Sequence, residues 1–378
     1  MRPQCVFYFI MKKKLFLVFI VLLAYLLGNA QSKNEVTVLY LLPFHLNETP
    51  ARHSSFKNSA EIHRVKQFEM MGFWLGAKMA LQEYEYKDKK INVIVRDAVT
   101  DEKALHKILE DSVLMARVNI IIGPFYGSLF PVAAKFAKQH NIVIVNPFST
   151  RFDFVEENPY VYKLIPPYSS RPETIAEHFL SQPDNYSVIL WGDSAKSAEM
   201  QAYKSYFKTH NIHFQEIHNY ALPRNTKSTN LIIAFFEQPT RIIHSVHTLI
   251  NREEETDILV VPEKWLSISE LTEDFFNFPH LYFFANYFVD ENCSRVQEFQ
   301  SDYTLNYGAP AELAAYSYQG YDITHYFIDM YFTDFDPAKI QFQPLSYRFQ
   351  WKQILDGGVE NIKVRFIQVK DLGLEEVK

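Results

Sequence analysis

Cysteine is almost absent from this chain, since only Cys5 and Cys293 occur in 378 residues. Disulfide scaffolds and cysteine-rich metal sites need more thiols, so both are excluded. We interpret Cys293 as a small apolar core residue. A basic excess is also lacking, because the formal net charge is −6 and acids and bases are mixed along the chain. A nucleic-acid partner, which needs a basic surface, is therefore not expected.

The sequence motifs of common enzymes are lacking too. The chain has no Gly-x-Ser-x-Gly elbow, no P-loop, no His-Glu-x-x-His and no dinucleotide-binding glycine pattern. His244 and His247 stand three residues apart on a predicted helix, but no carboxylate motif accompanies them, and we interpret them as a surface pair. We expect no enzymatic activity, no cofactor and no metal. A hydrolase on a similar sheet is a weaker hypothesis.

Only one long apolar run is present, from Leu15 to Leu27. Three lysines at 12–14 precede it, and the small residues Gly28 and Ala30 follow it. A basic segment, an apolar run shorter than the roughly 20 residues that span a bilayer, and a small-residue site are typical of a signal peptide. We expect residues 1–30 to be removed and the protein to be periplasmic. An uncleaved anchor is the alternative, and a lipoprotein is not expected because no cysteine follows the run.

About 350 residues would then remain, which is too many for one ordinary core and suits two domains. Short apolar runs rich in valine and isoleucine alternate with segments of helical period. Such runs are typical of strands buried on both faces of a parallel sheet. They are Val36–Leu42, Ile91–Val95, Val118–Ile122, Ile142–Val145, Val161–Ile165, Val188–Trp191, Leu231–Phe236, Ile258–Val261 and Leu281–Phe284. We predict an α/β fold of doubly wound parallel sheets with right-handed crossovers.

Two segments between the runs stand out. In the first predicted helix, Gly72 and Gly76 lie one turn apart, where we expect the helix to approach a sheet closely. Its predicted apolar stripe consists of Phe68, Met71, Leu75 and Met79. The polar stretch 45–64 predicts a long surface loop, either a lid over a cleft or a disordered segment.

Several short motifs follow one another in a characteristic order along the chain. They are Leu41-Leu42-Pro43-Phe44, the glycine helix at 72–77, Asp97, Ile121-Ile122-Gly123-Pro124, Asn146-Pro147-Phe148-Ser149-Thr150, Asn158-Pro159-Tyr160 and Gly320-Tyr321-Asp322. This order resembles the type I periplasmic solute-binding proteins, the group that contains the branched-chain amino-acid receptors of ABC transporters. The ending, with 349–352 and 361–369 interpreted as a hairpin, resembles the members found in Bacteroidetes.

The resemblance implies two discontinuous lobes joined by a three-stranded hinge. The first lobe would comprise residues 33–157 plus 286–336, and the second 158–285 plus 337–378. The implied function is capture of a small polar ligand, such as an amino acid, a peptide or a cell-wall fragment, for a transporter or a sensor. Its partners would be that ligand and a membrane permease, and the protein would be a monomer or a dimer. The alternative is a cell-wall-associated envelope protein that has lost solute binding and contacts another protein.

Ligands of open parallel sheets bind outside the carboxyl ends of the strands. In the first lobe this rule selects residues that combine hydroxyls with N–H groups near a helix start and so suit an anion. They are Tyr126, Gly127, Ser128, Ser149 and Thr150. Ordinary N-capping by the two serines is the alternative. The aromatic loop at 125–127 replaces the serine-rich loop of the family, which favours a larger or more apolar ligand than a free amino acid.

From the second lobe, an acid and aromatic rings would face these residues and could hold an ammonium group by charge and cation-π contact. The candidates are Tyr168, Ser169, Asp193, Glu263 and Trp265. The two acids could instead be solvated, and Trp265 could instead pack between elements. We expect Asp97 to bond nearby backbone amides and not a ligand.

Overall fold

The computed structural model describes residues 34–46, 70–85, 88–98, 101–181, 186–192, 197–220, 222, 228–250, 257–271, 273–370 and 373–377. The predicted signal peptide, the predicted ligand residue Asp193 and all of the 45–64 stretch except its first two residues lie outside these ranges. Among the described residues, no helix has the length and apolarity needed to cross a bilayer.

All nine apolar runs form strands, each within two residues of its predicted ends. The strands are β1 Glu35–Leu42, β2 Lys90–Asp97, β3 Ile120–Ile122, β4 Val143–Asn146, β5 Val161–Lys163, β6 Tyr186–Trp191, β7 Phe214–Ile217, β8 Thr229–Ala234, β9 Ile258–Pro262, β10 Leu281–Ala285, β11 Trp351–Gln353, β12 Val359–Asn361, β13 Arg365–Lys370 and β14 Gly373–Glu376. Strand β7 was not predicted because its sequence, FQEI, lies at a half-exposed sheet edge and carries no apolar run.

Two sheets of seven strands form the frame of the molecule. Their orders are β11-β12-β5-β4-β3-β1-β2 and β14-β13-β10-β9-β8-β6-β7. In each sheet the five strands farthest from the C-terminal hairpin run parallel, because helical crossovers connect them. The α/β fold with two mostly parallel sheets is therefore confirmed.

Strand pairing shows to which sheet the segments near the predicted lobe boundaries belong. Strand β5 pairs with β4, and β12 pairs with β5, so residues 161–163 and 351–361 belong to the first sheet although they were expected in the second lobe. Only β13 and β14 of the C-terminal region join the second sheet. The single hairpin expected over 349–369 is thus divided, and its second arm crosses to the other lobe.

Helices cover both sheets. They are α1 Met71–Gln82, α2 Glu102–Leu109, α3 Ser112–Met115, α4 Phe130–His140, α5 Ser170–Ile175, α6 Ala198–Thr209, α7 Pro239–Ile250, α8 Glu273–Phe276, α9 Ser294–Tyr307 and α10 Ser317–Phe332. Local chemistry fixes several starts: the Asp101 carboxylate accepts a hydrogen bond from Lys103 N, and Ser197 Oγ accepts one from Met200 N.

Helices α1 and α10 cross in direct backbone contact on the first sheet. A Cβ atom at Gly76 would lie 1.9 Å from the carbonyl oxygen of Ser317, and one at Gly320 would lie 1.9 Å from that of Phe73. Only glycine permits this approach. The glycines of α1 therefore face a helix and not the predicted sheet. The buried residues are Gly72, Phe73, Gly76, Ala77, Met79 and Ala80, so Met79 of the predicted stripe is buried while Met71 and Leu75 are half-buried.

The buried carboxylate of Asp322 organises the chain that follows α10. It accepts hydrogen bonds from the backbone N–H groups of Leu345 and Ser346, both at 2.7 Å, and of Tyr347 at 3.2 Å. The hydroxyl of Ser346 adds a fourth bond at 2.6 Å. Desolvation raises the pKa of Asp322 against the opposing effect of these bonds. The Gly-Tyr-Asp motif thus joins two helices through Gly320 and holds the connecting segment through Asp322.

Two buried polar side chains tie together the chain segments between the lobes. Asn361 donates to the carbonyl oxygens of Leu164 at 3.0 Å and Arg348 at 2.9 Å, and accepts from Gln350 N and Lys363 N. Arg365 donates to the carbonyl oxygens of Phe288 and Ser346, each at 2.8 Å, and pairs with Glu376. These bonds lie where the chain passes between the two sheets, which it does after β5, after β10 and between β12 and β13.

Candidate functional site

The loops that follow β1, β3 and β4 meet at the carboxyl edge of the first sheet, because these strands are neighbours. Asp97, at the end of β2, fixes the first loop: its carboxylate accepts from Phe44 N at 2.8 Å and from Leu46 N at 2.7 Å. The predicted structural role of Asp97 is thus confirmed. The fixed loop holds the buried His45 ring, whose Nε2 lies 2.9 Å from the hydroxyl of Tyr126.

Residues Tyr126, Gly127 and Ser128 form a turn before α4. The carbonyl oxygen of Tyr126 accepts from the N–H groups of Leu129 and Phe130. Leu129 is the N-cap residue, so Ser128 does not cap α4 and its side chain is exposed. Within the described residues, the N–H groups of Gly127 and Ser128 have no acceptor. They remain available to an anion, as the sequence predicts.

Ser149 and Thr150 lie in the loop after β4. The N–H of Ser149 donates to Asn146 Oδ1 at 2.8 Å, and Ser149 Oγ accepts from Arg151 N at 3.1 Å. The N–H of Ser149 is therefore already used within the loop, and Ser149 caps no helix, because the short helix over 152–154 has Arg151 as its N-cap residue and no side-chain cap. The hydroxyl proton of Ser149 can still be donated, and Thr150 is exposed beside it.

Aromatic rings form the floor of the first-lobe surface. Phe125 and Phe148 are 5.2 Å apart between ring centroids, and Phe148 and Tyr316 are 4.7 Å apart. Phe73 of α1 supports Phe125 from below at 4.9 Å. Tyr316 has a left-handed backbone, with φ of 63°, an unusual conformation for a bulky residue. Sequence reasoning did not select Tyr316 or Phe148 as site residues, although the aromatic residue after Pro147 was a usable signal.

The second sheet contributes charged groups. Arg171, in the first turn of α5, lies 4.9 Å from the ring centroid of Tyr168 and forms an ion pair with Glu199 of α6. Desolvation lowers the pKa of Arg171, but the Glu199 carboxylate and other neighbours outweigh it, and the net pKa is raised. Tyr168 and Ser169 are exposed. Arg171 was missed by sequence reasoning, which considered acids and aromatics for this lobe.

Glu263 follows β9 at the carboxyl edge of the second sheet. Its side chain is exposed to solvent, yet neighbouring protein raises the pKa of its carboxyl by desolvation, and Arg171 opposes this rise. The structure thus brings Glu263 near Arg171 and Tyr168.

Trp265 is not a ligand residue. It is fully buried in the core of the second lobe, and its indole N–H donates to the carbonyl oxygen of Phe236 at 3.1 Å. It packs against Phe275, with 6.3 Å between ring centroids. The expectation of a cleft contact was therefore wrong, because the short helix over 263–267 turns this ring inward while it leaves Glu263 outside.

Tyr287, just after β10, stands between the two surfaces. Desolvation raises the pKa of its phenol, and Tyr316 of the first lobe and Glu263 of the second lobe both raise it further. Because Tyr287 follows a strand of the second sheet and packs against the hydrophobic core of the first lobe, residues of both lobes border one space here. We call this space the cleft.

Metal chemistry finds no support in this arrangement. Among the described residues, no three histidine, cysteine or carboxylate side chains converge as metal ligands. His244 and His247 are both exposed on α7, and His244 packs against the ring of Tyr220 at 4.1 Å.

The geometry is that of the type I periplasmic binding fold. A protein assigned to branched-chain amino acid ABC transport from Rhodospirillum rubrum has a TM-score of 0.63 and 13% identity, with 91% of this chain and 100% of that chain covered. A substrate-binding protein of an ABC transporter from Desulfitobacterium hafniense, in complex with leucine, has a TM-score of 0.54 and 16% identity, with the same coverage. The C-domain of LpoA from Haemophilus influenzae, a regulator of PBP1A, has a TM-score of 0.55 and 14% identity, covering 90% and 100%.

The likeness in fold confirms the predicted architecture of two lobes. At 13–16% identity it establishes the fold and not a shared ligand. No protein-family model matches the chain, and no curated protein matches it. The resemblance to the Bacteroidetes members stays a prediction.

Proposed function

We propose that this chain is an exported, non-enzymatic binding protein that holds a small ligand in the cleft and presents it to a membrane permease or a sensor. The observation that carries the proposal is the position of Tyr287, which follows β10 of the second sheet and packs against the hydrophobic core of the first lobe. Residues from two lobes that face one space can close on a ligand by a hinge motion.

The two surfaces suggest what the ligand carries. The N–H groups of Gly127 and Ser128, which have no acceptor among the described residues, suit a carboxylate. Across the cleft, Glu263 offers a negative charge to an ammonium group. The rings of Phe148 and Tyr316 offer an apolar floor. A zwitterion with an apolar body, such as an amino acid, a short peptide or a cell-wall peptide fragment, matches all three.

Thermal-shift measurements with leucine, alanine-containing dipeptides and muropeptides test this proposal. A ligand at 100 times its Kd stabilises the folded protein by about 2.7 kcal/mol, which raises the Tm clearly. The variant Glu263→Gln should lose most of the rise, and Glu298→Gln, which removes an exposed carboxylate from α9, should keep it. An absence of any rise with all three ligand classes would contradict solute capture.

A second candidate is an envelope regulatory protein that uses this fold to contact a protein. The rings of Phe73, Phe125, Phe148 and Tyr316 pack on one another and fill the floor of the first-lobe surface, which favours this alternative. Pull-down from an envelope extract distinguishes the two. A stoichiometric protein partner that survives Ser128→Ala, Ser149→Ala and Thr150→Ala together supports the regulatory role.

A further inference from the structure

A second cavity lies outside the cleft, where the segment 337–349, the start of α9 and strand β13 meet. Its volume is about 530 Å³. Cavities that hold small molecules measure about 300–1,000 Å³, so this one is large enough for a ligand.

Arginines dominate the charge of this cavity. Arg295, Arg348 and Arg365 line it, against the single carboxylate of Asp290. Arg365 is buried and neutralised by Glu376. Arg348 is closer to the surface, with 45% of its side chain exposed, and lies 3.3 Å from the same Glu376. One acid thus faces two arginines, and positive charge remains.

Arg295 supplies a guanidinium without a carboxylate partner. It stands over the ring of Phe342 at 5.7 Å from the centroid, and none of the ion pairs among the described residues involves it. Asp290, the acid of the cavity, accepts a hydrogen bond from Asn292 N at 3.0 Å. The guanidinium of Arg295 can therefore donate to an anionic group from outside the protein.

Apolar side chains form part of the remaining lining, beside the polar Gln343 and Tyr326. Val296 and Leu345 are almost fully buried at the cavity wall, and Ile340 and Phe342 are half-buried. The ring of Phe342 stacks on His325, with 4.0 Å between centroids and 10° between planes. A rigid ring beside an arginine offers one surface to an apolar group and one charge to its acid.

We propose that this cavity is a second binding site, for a small organic anion with an apolar body, in which Arg295 and Arg348 hold the acid group while Phe342 and Ile340 contact the apolar part. The site is separate from the cleft and does not depend on the function proposed for it.

Methyl NMR of the full chain tests the site with 3-phenylpropionate as the probe. Binding should shift the δ1-methyl signal of Ile340 and the methyl signals of Leu345 in a saturable way. The uncharged alcohol 3-phenylpropan-1-ol, which has the same ring and chain length, should bind about tenfold or more weakly because it lacks the charge-assisted hydrogen bonds.

Variants locate the effect. Arg295→Gln should weaken 3-phenylpropionate binding about tenfold or more, while Glu263→Gln in the cleft should leave it unchanged. Arg348 also donates to the carbonyl oxygens of Pro344 and Tyr347, so its removal could disturb the fold. The variant Arg348→Lys is therefore used at this position, because it keeps the positive charge. Equal affinity for acid and alcohol, no shift at Ile340, or binding that persists in Arg295→Gln would each overturn the proposal.

Discussion

The two lobes share one topology and differ in the chemistry of their cleft surfaces. Each sheet places its first, third, fourth and fifth strands side by side, with a late hairpin at one edge. In the first lobe the carboxyl ends of the strands carry packed aromatic rings and backbone N–H groups. In the second lobe they carry Arg171 and Glu263. Strand order thus decides where loops meet, and loop residues decide what they recognise.

The difference extends to how the lobes are held together. The first lobe depends on backbone contact between α1 and α10 and on buried polar groups such as Asp322 and His325. Aromatic packing occurs in both lobes, and in the second lobe it includes the cluster of Phe179, Tyr282 and Phe366. Substitutions with similar chemistry in the two lobes should therefore have different costs.

The largest effect is expected from Gly76→Ala in the first lobe. The new Cβ would meet the backbone of Ser317 at 1.9 Å, so α1 and α10 must separate, at a cost of about 3 kcal/mol or more. In the second lobe, a Cβ at Gly192 meets the side chains of Phe235 and Met200 at 2.9 and 3.0 Å, and the Met200 end can move. Denaturant unfolding should show a clearly smaller loss for Gly192→Ala.

The control for this comparison is Gly127→Ala, because the nearest atom to its Cβ lies 4.0 Å away. Its free energy of unfolding should stay within about 0.5 kcal/mol of the unchanged protein. Equal losses for Gly76→Ala and Gly192→Ala would show that the helix contact is not a special feature of the first lobe.

The next effect concerns Ser346, which Asp322 holds from the first lobe and Arg365 from the second. Asp322→Asn turns an acceptor of N–H bonds partly into a donor and should cost about 2–3 kcal/mol. Arg365→Met should cost about as much, because it removes the buried guanidinium that pairs with Glu376 and donates to the carbonyl oxygens of Phe288 and Ser346. Since both side chains hold the same segment, the double variant should lose less free energy of unfolding than the sum of the two single variants. Additive losses would show that Asp322 and Arg365 stabilise the fold independently of each other.

The smallest effect is a pH dependence of opposite sign in the two lobes. Desolvation lowers the pKa of His325, but Asp329 and Glu83 outweigh it and the net pKa is raised. Its stabilisation is complete below the ordinary histidine pKa of about 6.5 and is lost as the pH rises through the folded pKa. His178 in the second lobe has a pKa lowered by desolvation, so its effect appears as a loss of stability when the pH falls below about 6.5.

Thermal unfolding from pH 5 to 9 measures both terms. His325→Gln should remove part of the loss at high pH, and His178→Phe should remove part of the loss at low pH. His210→Gln, at an exposed position on the surface, should leave the profile unchanged. The same change of slope from both histidine variants would contradict the difference between the lobes.

The order of the strands could be predicted from the sequence because strands buried in a parallel sheet consist of continuous apolar residues. All nine runs became strands, and Asp97 has its expected structural role. The sequence also predicted the loop at Tyr126 and the acid Glu263 as candidate site residues, since both follow strands whose carboxyl ends lie at the ligand-binding edge of an open sheet.

Other features could not be predicted because they depend on distant partners. Trp265 and Glu263 stand two residues apart, and only the turn of the short helix decides which one faces the cleft. Arg171 becomes a site residue through Glu199, which lies on another helix. Strand β5 cannot be assigned to a sheet from its sequence, which is typical of any buried strand, because pairing with β4 decides its sheet.

Asn361 has a consequence for the energetics of ligand capture. Its side chain joins Leu164, Arg348, Gln350 and Lys363, and so connects the first and third passages of the chain between the lobes. Segments bonded to one another cannot bend independently, which leaves the lobes close to a single degree of freedom. Under the proposed ligand capture, closure would order little additional backbone, so most of the contact energy would remain as affinity.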